Sequence, residues 1–204
     1  MVLLGRYLSP FVRRVATTMN LYGLAFEHRP LLAFGDDKDV IRQWNPVGRV
    51  PTLVLDDGEA VVDSAAILDY LDRLVGPERA LTPAEEPDRH RMLSLLGIAT
   101  GAVEKAVLTV YEVRHRPEEK RHAPWVELCA RQARDGFHYL EARIRGPWMN
   151  GETLSQADVT AVCYWDFVKV ANPELAAAMT CPGLDALSER ANAMPAFADT
   201  RPDA

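Results

Sequence analysis

Three short stretches hold side chains whose types and positions could do chemistry. In the first, Ser9 precedes Pro10 at what reads as a helix start. A serine hydroxyl caps the free N–H groups of a first turn, and proline suits the first helical position. Such an end carries partial positive charge, which favours an anion and lowers the pKa of a thiol placed against it. The Ser9 hydroxyl could add a hydrogen bond to that sulfur. No nearby histidine is evident to make Ser9 itself a nucleophile, so hydrolase chemistry is disfavoured. The second stretch is Arg49-Val50-Pro51-Thr52. Proline has no amide hydrogen, so Pro51 marks where strand pairing begins or is interrupted. A cis bond there would turn the N–H and C=O of Val50 out of the sheet, where a peptide-like ligand could pair with them as an added strand. Taken alone, the residues favour trans, because few X–Pro bonds are cis. The third stretch is Asp63-Ser64, opening another helix. Free N–H groups and a serine hydroxyl suit a carboxylate, and the Asp63 side chain suits an ammonium. Together they fit the free end of an amino acid. Each stretch also has a plainer use, as helix cap or strand start.

Other residues read more simply. Arg13 and Arg14, one turn into the first helix, are expected on solvated surface, though one of them could face the cleft. Ser155-x-x-Asp158 has the spacing of a capping box and should hold the start of a core helix. Tyr111, Tyr164, Trp165 and Phe167 lie at helical spacings and could either fill a core or line an apolar pocket.

These side chains need elements to position them. Residues 2–7 form an apolar first strand, and a helix with Val12, Val15, Met19 and Tyr22 on one side ends at Gly23. A second strand follows in AFEHRPLL, limited or placed at an edge by Pro30. A short helix is expected near 37–44 and a turn at Asn45-Pro46. Two strands flank Asp57-Gly58, a hairpin signal, and the helix after Asp63 ends at Gly76. The order is β-α-β-α-β-β-α. A proline-rich, charged linker then gives way to helices throughout. One apolar stripe runs through Leu95, Ala99, Ala102, Val103, Ala106 and Val110, and another through Val126, Cys129, Ala133, Phe137, Leu140 and Ile144. Further helices are expected from Ser155 and between Gly183 and Ala193. A mixed α/β unit followed by an all-helical one implies two domains, whose meeting is a usual place for a small ligand.

The chain has 204 residues, 48 % of them apolar, which supports a real core. Its net charge of −6, from 23 basic and 29 acidic residues, argues against a general nucleic-acid surface. Cys129, Cys163 and Cys181 lack the spacing of a disulfide framework or a metal site. The first two are expected in the core and Cys181 in a loop. No apolar run reaches the roughly 20 residues of a membrane span, so a cytoplasmic protein is expected.

In combination these motifs resemble the glutathione transferase family. The carriers are Ser9-Pro10-Phe11-Val12-Arg13-Arg14, Asn45-Pro46-Val47-Gly48-Arg49-Val50-Pro51, Asp63-Ser64 with Ile67 and Tyr70-Leu71, Ser155-Gln156-Ala157-Asp158, and Asn192 to Phe197 near the end. The likeness spans nearly the whole chain in the family's order and points to a serine-type bacterial class with theta-, zeta- and beta-like features. It implies a thioredoxin-like glutathione-binding domain over 1–77, a linker over 78–88 and a helical bundle over 89–204 that walls the electrophile site. It implies that Pro51 is cis, that Val50 pairs with the cysteinyl part of glutathione, and that Asp63 and Ser64 hold the γ-glutamyl end. Phe11 and Arg49 join that set, although many relatives have lysine where Arg49 stands. Ser9 would stabilise the glutathione thiolate. The absence of cysteine at position 9 disfavours the disulfide-reductase branch, and Tyr7 is not chosen as the catalytic hydroxyl. Phe11, Val107, Tyr111 and Trp165 are the expected wall for a small apolar electrophile. The implied protein is a homodimeric detoxification enzyme using glutathione as co-substrate and no metal, without nucleic-acid or membrane partners. Glutathione-dependent peroxide reduction, an isomerase or dehalogenase reaction, and a non-catalytic glutathione-binding or scaffold role are the alternatives.

Overall fold

In the computed structural model, which describes residues 1–202, β1 (Val2–Leu4) pairs parallel with β2 (Glu27–Arg29) and antiparallel with β3 (Thr52–Val54). β3 pairs antiparallel with β4 (Ala60–Val62), giving the order β2-β1-β3-β4. A parallel pair needs a crossover, and α1 (Pro10–Leu21) supplies it between β1 and β2. β2 lies at the sheet edge and stops just before Pro30, as a residue without an amide hydrogen requires. The hairpin closes with a hydrogen bond from the Leu55 N–H to the Glu59 carbonyl at 2.8 Å, and Gly58 takes φ +89°. α2 (Asp37–Ile41) is shorter than expected, and α3 (Ser64–Val75) begins directly after Asp63 and ends at Gly76. The core of this unit is built from Leu3, Val12, Val15, Met19, Leu53, Ile67 and Leu71. Sheet and helices therefore meet in one apolar layer, in the thioredoxin-like arrangement expected.

The chain divides into two compact units. Among the described residues, one combines Met1–Ala84 with residues 192–202, and the other is Glu85–Ala191. In the helical unit, α4 (Asp88–His115) packs on α5 (Ala123–Glu141) and α6 (Gln156–Ala171), followed by α7 (Pro173–Ala177) and α8 (Pro182–Asn192). Small residues let α4 and α5 approach closely: a Cβ added at Gly136 would sit 2.6 Å from that of Ala102. By length and composition alone α4 passes as a candidate membrane span, a test that core helices also pass. Here its Leu95, Ala99, Ala102, Val103, Ala106 and Val110 face is buried.

The tail departs from the expected 89–204 boundary. α9 (Pro195–Ala198) packs on α1, the Thr17 and Thr200 hydroxyls meet at 2.8 Å, and Arg13 Nη2 donates to Asn192 Oδ1 at 2.7 Å. The last turn of chain thus completes the first unit. All three cysteines are free and buried. Cys181 does lie in a loop, yet burial and the nearby carboxylates of Glu141 and Asp185 push its pKa up to about 11. Glu141 is fixed there because it accepts the Gly183 and Leu184 N–H groups at 2.7 and 2.8 Å, capping α8.

Two side chains decide how elements start. Asp158 is fully buried and accepts hydrogen bonds from the Met149 N–H at 2.6 Å, the Ser155 N–H at 2.8 Å and the Ser155 hydroxyl at 2.6 Å. Burial pushes its carboxyl above the usual range, and these donors act in the opposite direction. Gly5 takes φ +123° at the end of β1, and a Cβ there would stand 2.5 Å from Val12 Cγ2 and 2.8 Å from Val50 Cβ. That contact brings the helix after Ser9 and the loop bearing Val50 against one strand end.

Asp158→Ala strands buried N–H groups and should cost about 2–4 kcal/mol in urea unfolding. An unchanged midpoint would remove its structural role. Gly5→Ala should cost about 2 kcal/mol or more through overlap and backbone conformation. A neutral result in the same assay would show that Val12 and Val50 do not close tightly on Gly5.

Candidate functional site

The chemistry-bearing residues of the first unit sit at helix starts and strand ends. Ser9 is the N-cap of α1, and its Oγ accepts the Val12 N–H at 3.4 Å. A hydroxyl used only as an acceptor keeps its own proton to donate. Ser9 is partly exposed, as is Phe11 two residues on. Tyr7 is held differently. Its ring stacks on His28 with centroids 3.9 Å apart, and burial together with the Asp199 carboxylate pushes its pKa above the usual phenol value.

The Val50–Pro51 bond is cis, as the resemblance implied, and β3 starts at the next residue. Among the described residues nothing hydrogen-bonds to the Val50 N–H or C=O. The loop before it is pinned by Asn45, whose Nδ2 donates to the Arg49 carbonyl at 2.9 Å and to Thr52 Oγ1 at 3.1 Å. Asn45 Oδ1 accepts the Val47 N–H at 3.1 Å, and the Thr52 hydroxyl donates to the Arg49 carbonyl at 3.0 Å. Arg49 therefore contributes a held backbone and an exposed side chain.

Asp63 has φ +71° and ψ 132°, the one non-glycine residue with positive φ among those described. Its Oδ1 accepts the Ala65 N–H at 2.8 Å, so it caps α3 while remaining exposed. Ser64, the first residue of α3, is 3 % exposed, and its Oγ accepts from Arg14 Nη2 at 2.6 Å. This corrects the expectation for the arginine pair. Arg13 and Arg14 are 1 % and 3 % exposed, because α1 turns that face inward toward Asn192 and Ser64.

In the helical unit, Val107 and Tyr111 lie one turn apart on α4. Val107 is half-buried and Tyr111 is 41 % exposed, with its ring edge-on to His115 at 5.2 Å. Trp165 is different. It is 3 % exposed, its indole N–H donates to Asp185 Oδ1 at 2.8 Å, and its ring lies 5.4 Å from that of Phe137. It is a core residue with little surface for a ligand, a correction to its place in the expected wall. Ser155 and Asp158 form a reciprocal capping box at the start of α6.

Three supporting residues escaped the sequence reading. Arg14 looked like surface because arginine usually is. Asn45 looked like a turn residue, although Asn-Pro before a strand also suits a side chain that fastens the turn. Gly5 carried no motif, and only its position between a strand and a capped helix hinted at close packing.

Sequence comparison agrees with this geometry. The family profile described as "Glutathione S-transferase, N-terminal domain" matches residues 3–79. The chain is 28 % identical over 174 residues to the uncharacterized GST-like protein YibF of Escherichia coli K12, covering 84 % of this chain and 85 % of that one. A glutathione S-transferase structure from Methylobacterium radiotolerans, in complex with glutathione sulfonate, superposes with a TM-score of 0.90 at 28 % identity, covering 100 % of this chain and 95 % of the other. A glutathione transferase family member from Pseudomonas fluorescens Pf-5, with bound glutathione, superposes at 0.87 with 29 % identity, covering 100 % and 99 %. This likeness runs across both units and agrees with the cis-proline loop and capped helices: residues 3–79 match the glutathione S-transferase N-terminal domain, and the whole chain is similar in sequence and fold to members of the glutathione transferase family.

Proposed function

We propose that the protein binds glutathione, stabilises its thiolate and conjugates it to a small, apolar electrophile. The observation that carries this reading is the Val50 peptide, which ends a pinned loop with its N–H and C=O unpaired among the described residues. A peptide ligand pairs with such a group as a short added strand. The cysteinyl residue of glutathione takes that place. Its γ-glutamyl carboxylate is directed to Ser64 and the first turn of α3, and its ammonium to Asp63, whose carboxylate is exposed. The relatives solved with glutathione or glutathione sulfonate bound support the choice of ligand.

Ser9 is then the group for the sulfur. A free cysteine thiol has a pKa near 8.5, so at neutral pH it is mostly protonated. Lowering it to about 6.5 requires about 2.7 kcal/mol of extra preference for the thiolate. A hydrogen bond to a charged atom contributes roughly 1.5–3 kcal/mol, and the α1 terminus adds about 0.3–1 kcal/mol. The two together reach what is needed. The thiolate forms the new carbon–sulfur bond as the leaving group departs, or as an activated double bond accepts the electron pair. Phe11, two residues after Ser9, keeps apolar surface for contact with the electrophile. Pairing into a homodimer is carried over from the family as part of the same proposal.

Ser9→Ala should cut turnover of an aryl halide with glutathione by about tenfold or more, with glutathione affinity by calorimetry nearly unchanged. Turnover equal to that of the wild type would move thiolate stabilisation to another group.

A further inference from the structure

Ser64 has a neighbour that the glutathione reading did not require. Arg14 reaches it from α1 with a 2.6 Å bond between Nη2 and Oγ, and both residues are 3 % exposed. The direction of this bond is fixed by chemistry. A guanidinium has donors only, so the serine oxygen must accept. One lone pair of Ser64 Oγ is thereby occupied, and its O–H proton is left to donate to something else. Ser64 is also the first residue of α3, where backbone N–H groups lack helical acceptors. The Asp63 side chain already takes the Ala65 N–H at 2.8 Å, so the cap and the seat for a ligand use different donors.

We propose that Arg14 is a positioning residue for the α-carboxylate of glutathione, fixing the Ser64 hydroxyl as a donor and setting a buried positive charge behind the anion. The inference rests on the reading that the γ-glutamyl end sits at the start of α3. A charge held in a poorly hydrated place acts more strongly on an anion than an exposed lysine would. The guanidinium plane also holds its donor in a set direction, which a flexible ammonium does not. Arg14 thereby sets specificity. It favours ligands with a carboxylate on the γ-glutamyl end and does nothing for the ammonium beside it.

Calorimetry with three tripeptides tests this: glutathione, 4-aminobutanoyl-cysteinyl-glycine, which lacks the α-carboxylate, and glutaryl-cysteinyl-glycine, which lacks only the α-amine. Arg14→Gln should weaken glutathione and the glutaryl peptide by about tenfold, and change the aminobutanoyl peptide by less than about twofold. Arg14→Lys should recover part of the loss. Equal weakening of all three ligands, or of none, would reduce Arg14 to a packing residue. A buried arginine can be needed for folding, so the wild-type protein supplies a second measurement. The Arg14 side-chain N–H resonance should shift on adding glutathione and stay in place on adding the aminobutanoyl peptide. Identical responses to both ligands would overturn the assignment. Failure of the wild type to bind glutathione at all would instead refute the underlying reading, and the role of Arg14 would fall with it.

Discussion

A carboxylate leaves water at little net cost only where directed donors are already waiting for it. In the proposed reading that requirement falls on a single residue junction. The sheet ends at Val62 and the helix begins at Ser64, so Asp63 alone must redirect the chain. It does so at φ +71° and ψ 132°, a backbone state that costs a non-glycine residue roughly 1–3 kcal/mol. A glycine would relieve the strain and lose the carboxylate. Keeping aspartate retains a cap for the Ala65 N–H and an exposed anion at the same corner. Donors for a negative group and an acceptor for a positive one thus lie side by side, the pattern of an amino-acid end.

The remaining features of the unit fix other backbone and side-chain groups relative to that corner. Gly5 permits β1, α1 and the Val50 loop to converge, since any side chain there would strike Val12 and Val50. Asn45 spends its amide on the Arg49 carbonyl and Thr52 hydroxyl, which leaves the Val50 peptide to face outward from a fixed base. Burial of one α1 face places Arg14 against Ser64, one turn beyond the helix start that Ser9 caps. Rigid elements rather than long loops carry each group, which suits the proposed holding of a thiolate in one position.

Much of this was legible in the sequence. Hydrophobic period, proline and glycine gave the β-α-β-α-β-β-α order, and all four strands and the three helices of that unit are present. Ser9 and Asp63 were legible as helix caps because caps have local signatures, whereas the cis bond at Pro51 came from the resemblance and not from the residues alone. Arg14 was misjudged because its burial is decided by Ser64, fifty positions away. The tail was placed with the helical bundle because its order in the chain gives no sign of the Thr17–Thr200 contact. Trp165 illustrates a different limit. Helical spacing cannot say whether an aromatic ring faces a cavity or a neighbour such as Phe137, and here the ring is buried while its indole N–H reaches the exposed Asp185. The short α7 and α9 were also unforeseen, each being too brief to show a period.

The central claim is that glutathione lies extended along Val50 between the starts of α1 and α3. A crystal structure of the protein soaked with glutathione tests it most directly. The account predicts cysteinyl N–H and C=O within about 3.2 Å of the Val50 carbonyl and amide, the α-carboxylate on Ser64 Oγ, and sulfur within about 3.5 Å of Ser9 Oγ. Ordered glutathione bound elsewhere, or held with its cysteinyl peptide turned away from Val50, would contradict it.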